Sequence, residues 1–197
     1  MIGNVVKFFK CPKFHDERGW FEVGYNQKYF TEEIADVNFV QQNISYSYKN
    51  VARGLHFQYI NPQAKLVSCI EGEVIDYILD LRLGSNTFGK YQMYLLDDPD
   101  TFLYVPIGFA HGFITLSEIA KFQYFVSDIW NKQGETGVNF KHELENCILN
   151  QVGVLKSNKE HLYIKPNELV KNLIFNEKDL ALPTLDEYYE AIETAKI

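Results

Sequence analysis

The chain has 197 residues, 46% of them apolar and 23% charged, which excludes a disordered chain and suffices for one buried core. Its net charge of −7 excludes a uniformly basic nucleic-acid binder, which needs Lys and Arg in excess on at least one face. No apolar run is long enough to span a membrane, the first residues lack the apolar core of a signal peptide, and three unpaired-looking cysteines point to a reducing cytoplasm without a disulfide framework or Cys-type zinc site.

In chain order, a short helix is expected at 27–36 and a strand within 38–48. Residues 64–82 read as two strands broken at Glu71-Gly72-Glu73. Further strand-like runs follow at 91–96, 101–106, 111–116 and 122–128, about 8–12 residues apart with Gly, Asn, Asp or Pro between them. That spacing predicts a sandwich or barrel, and it leaves no room for the helical crossovers of a parallel sheet. Residues 84–89, bounded by Gly84 and Gly89, read as a hairpin turn. The polar, Lys- and Asn-rich stretch 150–172 reads as an insertion or loop with a short strand. A C-terminal helix is expected at 184–196, with Thr184 and Glu187 at capping-box spacing and Leu185, Tyr188, Tyr189 and Ile192 as its apolar stripe. The whole, 1–197, is read as one domain.

Arginine is the first chemical clue. Of 19 basic residues only Arg18, Arg53 and Arg82 are Arg, and Arg is kept where a planar, bidentate grip on phosphate or carboxylate is needed. Three structural ion pairs would explain them equally well. Histidine is the second clue. His15, His142 and His161 lie in polar surroundings and read as surface residues, whereas His56 and His111 lie inside apolar runs. Each alone reads as a satisfied, partly buried side chain. Two of them facing one barrel interior would supply a base near neutral pH. The string from Pro106 to His111 matches the Pro-x-Gly-x-x-His element of cupin barrels. The metal-binding cupins also carry an upstream His-x-His pair, where this chain has His56-Phe57-Gln58. Gln is a poor replacement ligand, so a metal-free barrel is favoured. No nucleophile elbow, phosphate-binding Gly-rich loop or dinucleotide fingerprint is present in the sequence.

Eight strings occur in order: Asp16-Glu17-Arg18-Gly19, Phe39-Val40-Gln41-Gln42-Asn43, Arg53-Gly54-Leu55-His56-Phe57-Gln58, Lys65-Leu66-Val67, Gly72-Glu73-Val74, Asp80-Leu81-Arg82, Thr87-Phe88-Gly89, and Pro106-x-Gly108-Phe109-Ala110-His111-Gly112-Phe113. Together they resemble the dTDP-4-dehydrorhamnose 3,5-epimerase family over residues 12–148 and again near Asp179. The resemblance implies an all-β, double-stranded β-helix (a cupin-like jelly roll) with a few short helices. It also implies a homodimer and no metal or organic cofactor. The substrate implied is a nucleotide-linked 4-keto sugar, dTDP-linked first and CDP- or GDP-linked as alternatives. The chemistry is inversion at C3 and C5, or at C3 alone, through an enolate, in the synthesis of surface polysaccharide.

Roles carry over by resemblance. His56 is similar to the family's base, Asp179 to its carboxylate partner, Tyr124 to the opposing acid, and Lys65 to the cation that stabilises charge on O4. Arg18 and Arg53 resemble the residues that grip diphosphate and sugar. Phe21, Gln41, Asn43, His111 and Glu135 resemble other pocket positions, and Trp130 is placed to stack on a base. Taken singly, Tyr124 reads as core, Lys65 as a solvated strand edge and Asp179 as a loop or cap acid. Two other readings are a sugar-nucleotide 3,4-ketoisomerase and a non-catalytic sugar-nucleotide-binding cupin. The second has no need for the His56, Tyr124 and Asp179 set.

Overall fold

The computed structural model describes residue 2 and residues 5–149, 155–156 and 172–195. Two sheets, antiparallel except for one short edge strand, pack face to face as a jelly roll. The first has five strands in the order β1 (Lys7–Lys10), β9 (Thr101–Val105), β6 (Lys65–Glu71), β11 (Ile119–Val126) and β4 (Gln41–Tyr48). The second has six, in the order β12 (Glu135–Gly137), β5 (Ala52–Gln58), β10 (Phe109–Thr115), β7 (Val74–Asp80), β8 (Tyr91–Leu96) and β13 (Leu155–Lys156). The parallel pairing of β13 with β8 supplies a short strand inside the expected insertion, most of which lies outside the described residues, as does His161. A separate hairpin is formed by β2 (Lys13–Asp16) and β3 (Gly19–Glu22). No described helix is long and apolar enough to cross a membrane.

The core strands explain why the middle of the chain reads so apolar. All seven residues of β7 are buried, and alternate ones serve different cores. Val74 and Ile78 pack between the sheets with Val67, Cys69, Leu103 and Phe122. Ile75, Tyr77 and Leu79 face outward, under Val138, Phe140 and Leu144. Leu144 belongs to α2 (Phe140–Leu149), a helix that the sequence reading did not anticipate. Truncating Leu79, which is fully buried, to Ala is expected to cost ~2–5 kcal/mol through the cavity left behind.

The first expected helix is α1 (Gln27–Glu33), capped by Asn26, whose side chain accepts from Tyr29 N. The C-terminal helix is α4 (Leu185–Ala195). Its capping box forms as read: Glu187 N donates to Thr184 Oγ1 and Thr184 N donates to a Glu187 carboxylate oxygen. Leu185 and Tyr188 pack against the outer core, and the Tyr189 ring lies tilted against Phe88 at the surface. Before α4 lies one more short helix, α3 (Glu177–Leu180), whose cap Asn176 accepts from Asp179 N at 2.6 Å.

One backbone feature matters to the site. β5 and β10 approach closely where Gly54 (φ +113°) meets Gly112. A Cβ on Gly54 would lie 2.7 Å from both Gly112 Cα and His111 O. Only glycine allows this approach, and it sets His56 opposite His111 in the strand register.

Candidate active site

A cavity of about 430 Å³ opens between the sheets, within the usual range for a small-ligand site. The six-stranded sheet contributes Arg53 and His56 from β5, His111 from β10 and Glu135 from β12. The five-stranded sheet contributes Gln41 and Asn43 from β4, Lys65 from β6 and Tyr124 from β11. Trp130 lies in the connection after β11, and Asp179 arrives on α3. Ten of the twelve expected site residues therefore share one cavity.

Arg18 and Phe21 do not line it. Both sit on the β2–β3 hairpin, with the Arg18 side chain 83% exposed and Phe21 65% exposed. Lys13 anchors that hairpin to Asp98 at 2.8 Å, on the side of β1 and β9, while the cavity is bordered by β4 at the other edge of the same sheet. Among the described residues Arg18 binds only its neighbour Asp16, through backbone and side chain. Arg82 takes the structural role: it pairs with buried Asp80 at 2.7 Å and lies over the Phe109 ring.

His56 and Asp179 form the best-defined polar pair. Asp179 Oδ1 lies 2.8 Å from His56 Nε2, and Oδ2 accepts from Gly54 N at 3.2 Å. The Asp179 side chain is 1% exposed, that of His56 28%. Burial pushes the Asp179 carboxyl up. The hydrogen bond and charge of His56, the Gly54 N–H and the charge of Lys178 outweigh it and hold the group below the usual carboxylate value. A carboxylate at Nε2 selects the tautomer with hydrogen there and leaves Nδ1 with a free lone pair. The pair can therefore accept a proton at Nδ1 and stabilise the resulting cation.

Tyr124 faces the same cavity from the opposite sheet. Burial, reinforced by Glu135, pushes its phenol up against the opposing effect of Arg53, so it keeps its proton at neutral pH. Lys65 is no solvated edge. It is half-buried at the cavity wall, and its ammonium donates to His56 O at 3.3 Å. Burial lowers its pKa to about 8, with Glu135 and Asp76 partly opposing. A desolvated cation of this kind is a strong electrostatic partner for an oxyanion.

A second imidazole–carboxylate pair lies beneath the cavity. His111 Nε2 is 2.7 Å from Asp76 Oδ2, and Asp76 is fully buried. Its Oδ1 makes no hydrogen bond to any described residue. Burial pushes this carboxyl up, and His111 and Lys65 only partly oppose that. The sequence reading missed Asp76, although a carboxylate inside the otherwise apolar run 74–79 was its available signal. It also missed Asn176, Gln63, Ser45 and Lys178. Lys178 Nζ donates to Glu135 Oε2 at 2.5 Å, and Trp130 Nε1 donates to Glu135 Oε1 at 3.0 Å. Gln58, where a metal-binding cupin would place a ligand, is committed elsewhere. Its amide donates to Asn61 O and Ile129 O and accepts from Asn131 N, so it ties down the loop that carries Trp130.

Comparison with known proteins places this arrangement. The family model for dTDP-4-dehydrorhamnose 3,5-epimerase matches residues 4–187. The Escherichia coli K12 enzyme of that name is 40% identical over 162 residues, covering 80% of this chain and 88% of the relative. The Shigella flexneri enzyme is 44% identical over 137 residues, covering 68% and 75%. The match to the Neisseria gonorrhoeae relative spans 40% of that protein's length. Among solved structures, the Legionella pneumophila 3,5-epimerase in complex with dTDP-4-keto-L-rhamnose superposes with a TM-score of 0.75 at 32% identity, covering 92% of this chain and 88% of that one. The Bacillus anthracis enzyme with TDP and PPi bound gives a TM-score of 0.74 at 34% identity, covering 91% and 93%. Sequence match, jelly roll and cavity agree: the chain belongs to the dTDP-4-dehydrorhamnose 3,5-epimerase family, isomerases of the racemase and epimerase class.

Proposed function

We propose that this protein inverts C3 and C5 of a dTDP-linked 4-keto-6-deoxy sugar by proton exchange between the two sheets. The observation that carries this is the His56–Asp179 pair facing Tyr124 across one cavity, with the ammonium of Lys65 beside His56. A ketone at C4 acidifies the hydrogens on both neighbouring carbons. His56 Nδ1 takes one as a proton, the C–H electron pair enters the ring, and the carbonyl becomes an enolate whose O4 charge Lys65 offsets. Tyr124 returns a proton to the opposite face and is re-protonated from solvent, to which His56 releases the proton it took. Attack from one face and delivery from the other is what inverts a centre. A binding module would gain nothing from a buried carboxylate aimed at an imidazole and a protonated phenol opposite.

Arg53 lines the cavity and supports the diphosphate, with Gln41 and Asn43 hydrogen-bonded to each other at 2.7 Å beside the sugar. Arg18 and Phe21 reach a cavity only in a homodimer. The edge strand β4 borders the cavity and turns Ile44, Tyr46 and Tyr48 outward, all exposed. A bare, apolar edge strand invites pairing, and the hairpin of a second copy laid on it would carry Arg18 and Phe21 to the substrate. Sedimentation equilibrium tests this part, and a monomer at working concentration contradicts it. The free thiols of Cys11 and Cys69 are consistent with a cytoplasmic setting.

Proton NMR in deuterated water tests the reaction. With catalytic protein and dTDP-4-keto-6-deoxyglucose, both the C3 and C5 signals are expected to disappear. Loss at C3 alone would mark a mono-epimerase. Exchange only with CDP- or GDP-linked sugars would move the nucleotide assignment, and no exchange with any of them would contradict the reading.

A further inference from the structure

Two tethers cross at Glu135 on the rim of the cavity. Its two carboxylate oxygens are shared between the Trp130 indole and the Lys178 ammonium. Glu135 is mostly enclosed, at 21% exposure, while Lys178 is 63% exposed. Lys178 precedes Asp179 on α3, yet Asp179 is already fixed by the Asn176 cap and by Gly54 N. The Lys178–Glu135 pair is therefore not what holds the base pair in place. It parks an exposed cation against Glu135, which lines the cavity.

A carboxylate offers an ammonium the same thing as a phosphate, charged oxygen acceptors, and a diphosphate offers more of both. An ion pair with so exposed a lysine is weak and easily exchanged. We propose that Glu135 is an intramolecular competitor of the substrate's diphosphate: it holds Lys178 in the free protein and yields it when the diphosphate enters. Substrate and product carry the same diphosphate, so grip on that group is uniform binding, which retains product without speeding the chemistry. Glu135 lowers that grip without touching the reacting carbons. This inference rests on the nucleotide-sugar reading above.

Calorimetric titration of the resting protein with dTDP, and separately with inorganic pyrophosphate, tests it. Glu135→Gln keeps an acceptor for Trp130 and removes the charge that holds Lys178, so both ligands are expected to bind about fivefold tighter, the ceiling set by an exposed ion pair. Lys178→Gln is expected to bind more weakly. In the Lys178→Gln background, Glu135→Gln is expected to change nothing, because the contested cation is gone. Equal tightening in both backgrounds would mean plain repulsion between Glu135 and phosphate and would overturn the competitor role. Unchanged or weaker binding by Glu135→Gln alone would overturn it too, the latter marking a direct contact with ligand. If the unaltered protein bound neither dTDP nor pyrophosphate, the nucleotide reading would fall with it.

Discussion

Two imidazoles line one cavity from strands that are direct neighbours, each with a carboxylate partner, and the two pairs are built differently. His111 and Asp76 come from paired strands, are both buried, and leave one carboxylate oxygen without a partner among the described residues. His56 is open to the cavity, and its carboxylate is brought from a helix 123 residues further along the chain. Burial wins at Asp76 and pushes that carboxyl up, while hydrogen bonds win at Asp179 and hold it down. An ionised partner is what an imidazole needs in order to take a proton and keep it. In the proposed reaction the same two side chains thus make a base in one place and a wall of the pocket in the other.

The contrast can be broken first at Asp179. Asp179→Asn keeps the shape and removes the charge that stabilises the imidazolium, and turnover is expected to fall on the order of 10²-fold or more, with dTDP affinity nearly unchanged in calorimetry. Tyr124→Phe removes the opposing acid alone. Deuterium exchange by His56 should continue while full inversion falls about 10²-fold, so mono-inverted or merely exchanged sugar accumulates in the NMR assay. A Tyr124→Phe protein that inverts both centres at the normal rate would remove the phenol from the mechanism.

Lys65 sharpens the comparison through pH. Burial lowers its pKa to about 8, so its charge is present below that value and lost above it. The ratio kcat/KM, which reports groups of the free enzyme, is expected to fall as pH rises through about 8. Lys65→Arg, whose charge persists, should move that limb upward even if the maximal rate drops. The smallest effect is expected at the wall. Asp76→Asn replaces a buried carboxyl, one of whose oxygens has no hydrogen-bond partner among the described residues, but keeps an acceptor for His111. Its stability in urea should change by no more than ~1–3 kcal/mol, with turnover reduced less than about tenfold.

The strands were legible because their residues alternate or run apolar between turn signals, as in 91–96, which matches β8 to the residue. The helix α2 was not, because its exposed face is broken by Lys141, His142 and Glu145 and its apolar contacts lie on a sheet that only the fold supplies. The hairpin β2–β3 was seen as a motif around Asp16-Glu17-Arg18-Gly19 rather than as two strands, because each strand is only four residues long. His56 and His111 stood out as imidazoles in apolar runs. Asp179 has no local signal at all, since a capped acid in a short helix looks like any other, and only the resemblance pointed to it. Lys178 was passed over for the same reason: its partner is 43 residues away.

The central claim is that His56, not His111, takes the proton. The direct test is deuterium incorporation into dTDP-4-keto-6-deoxyglucose by His56→Ala and His111→Ala, each first shown to bind dTDP. The account expects no exchange at C3 or C5 with His56→Ala and measurable exchange at both carbons with His111→Ala. Retained exchange in His56→Ala, with loss in His111→Ala, would assign the base to the other pair and contradict it.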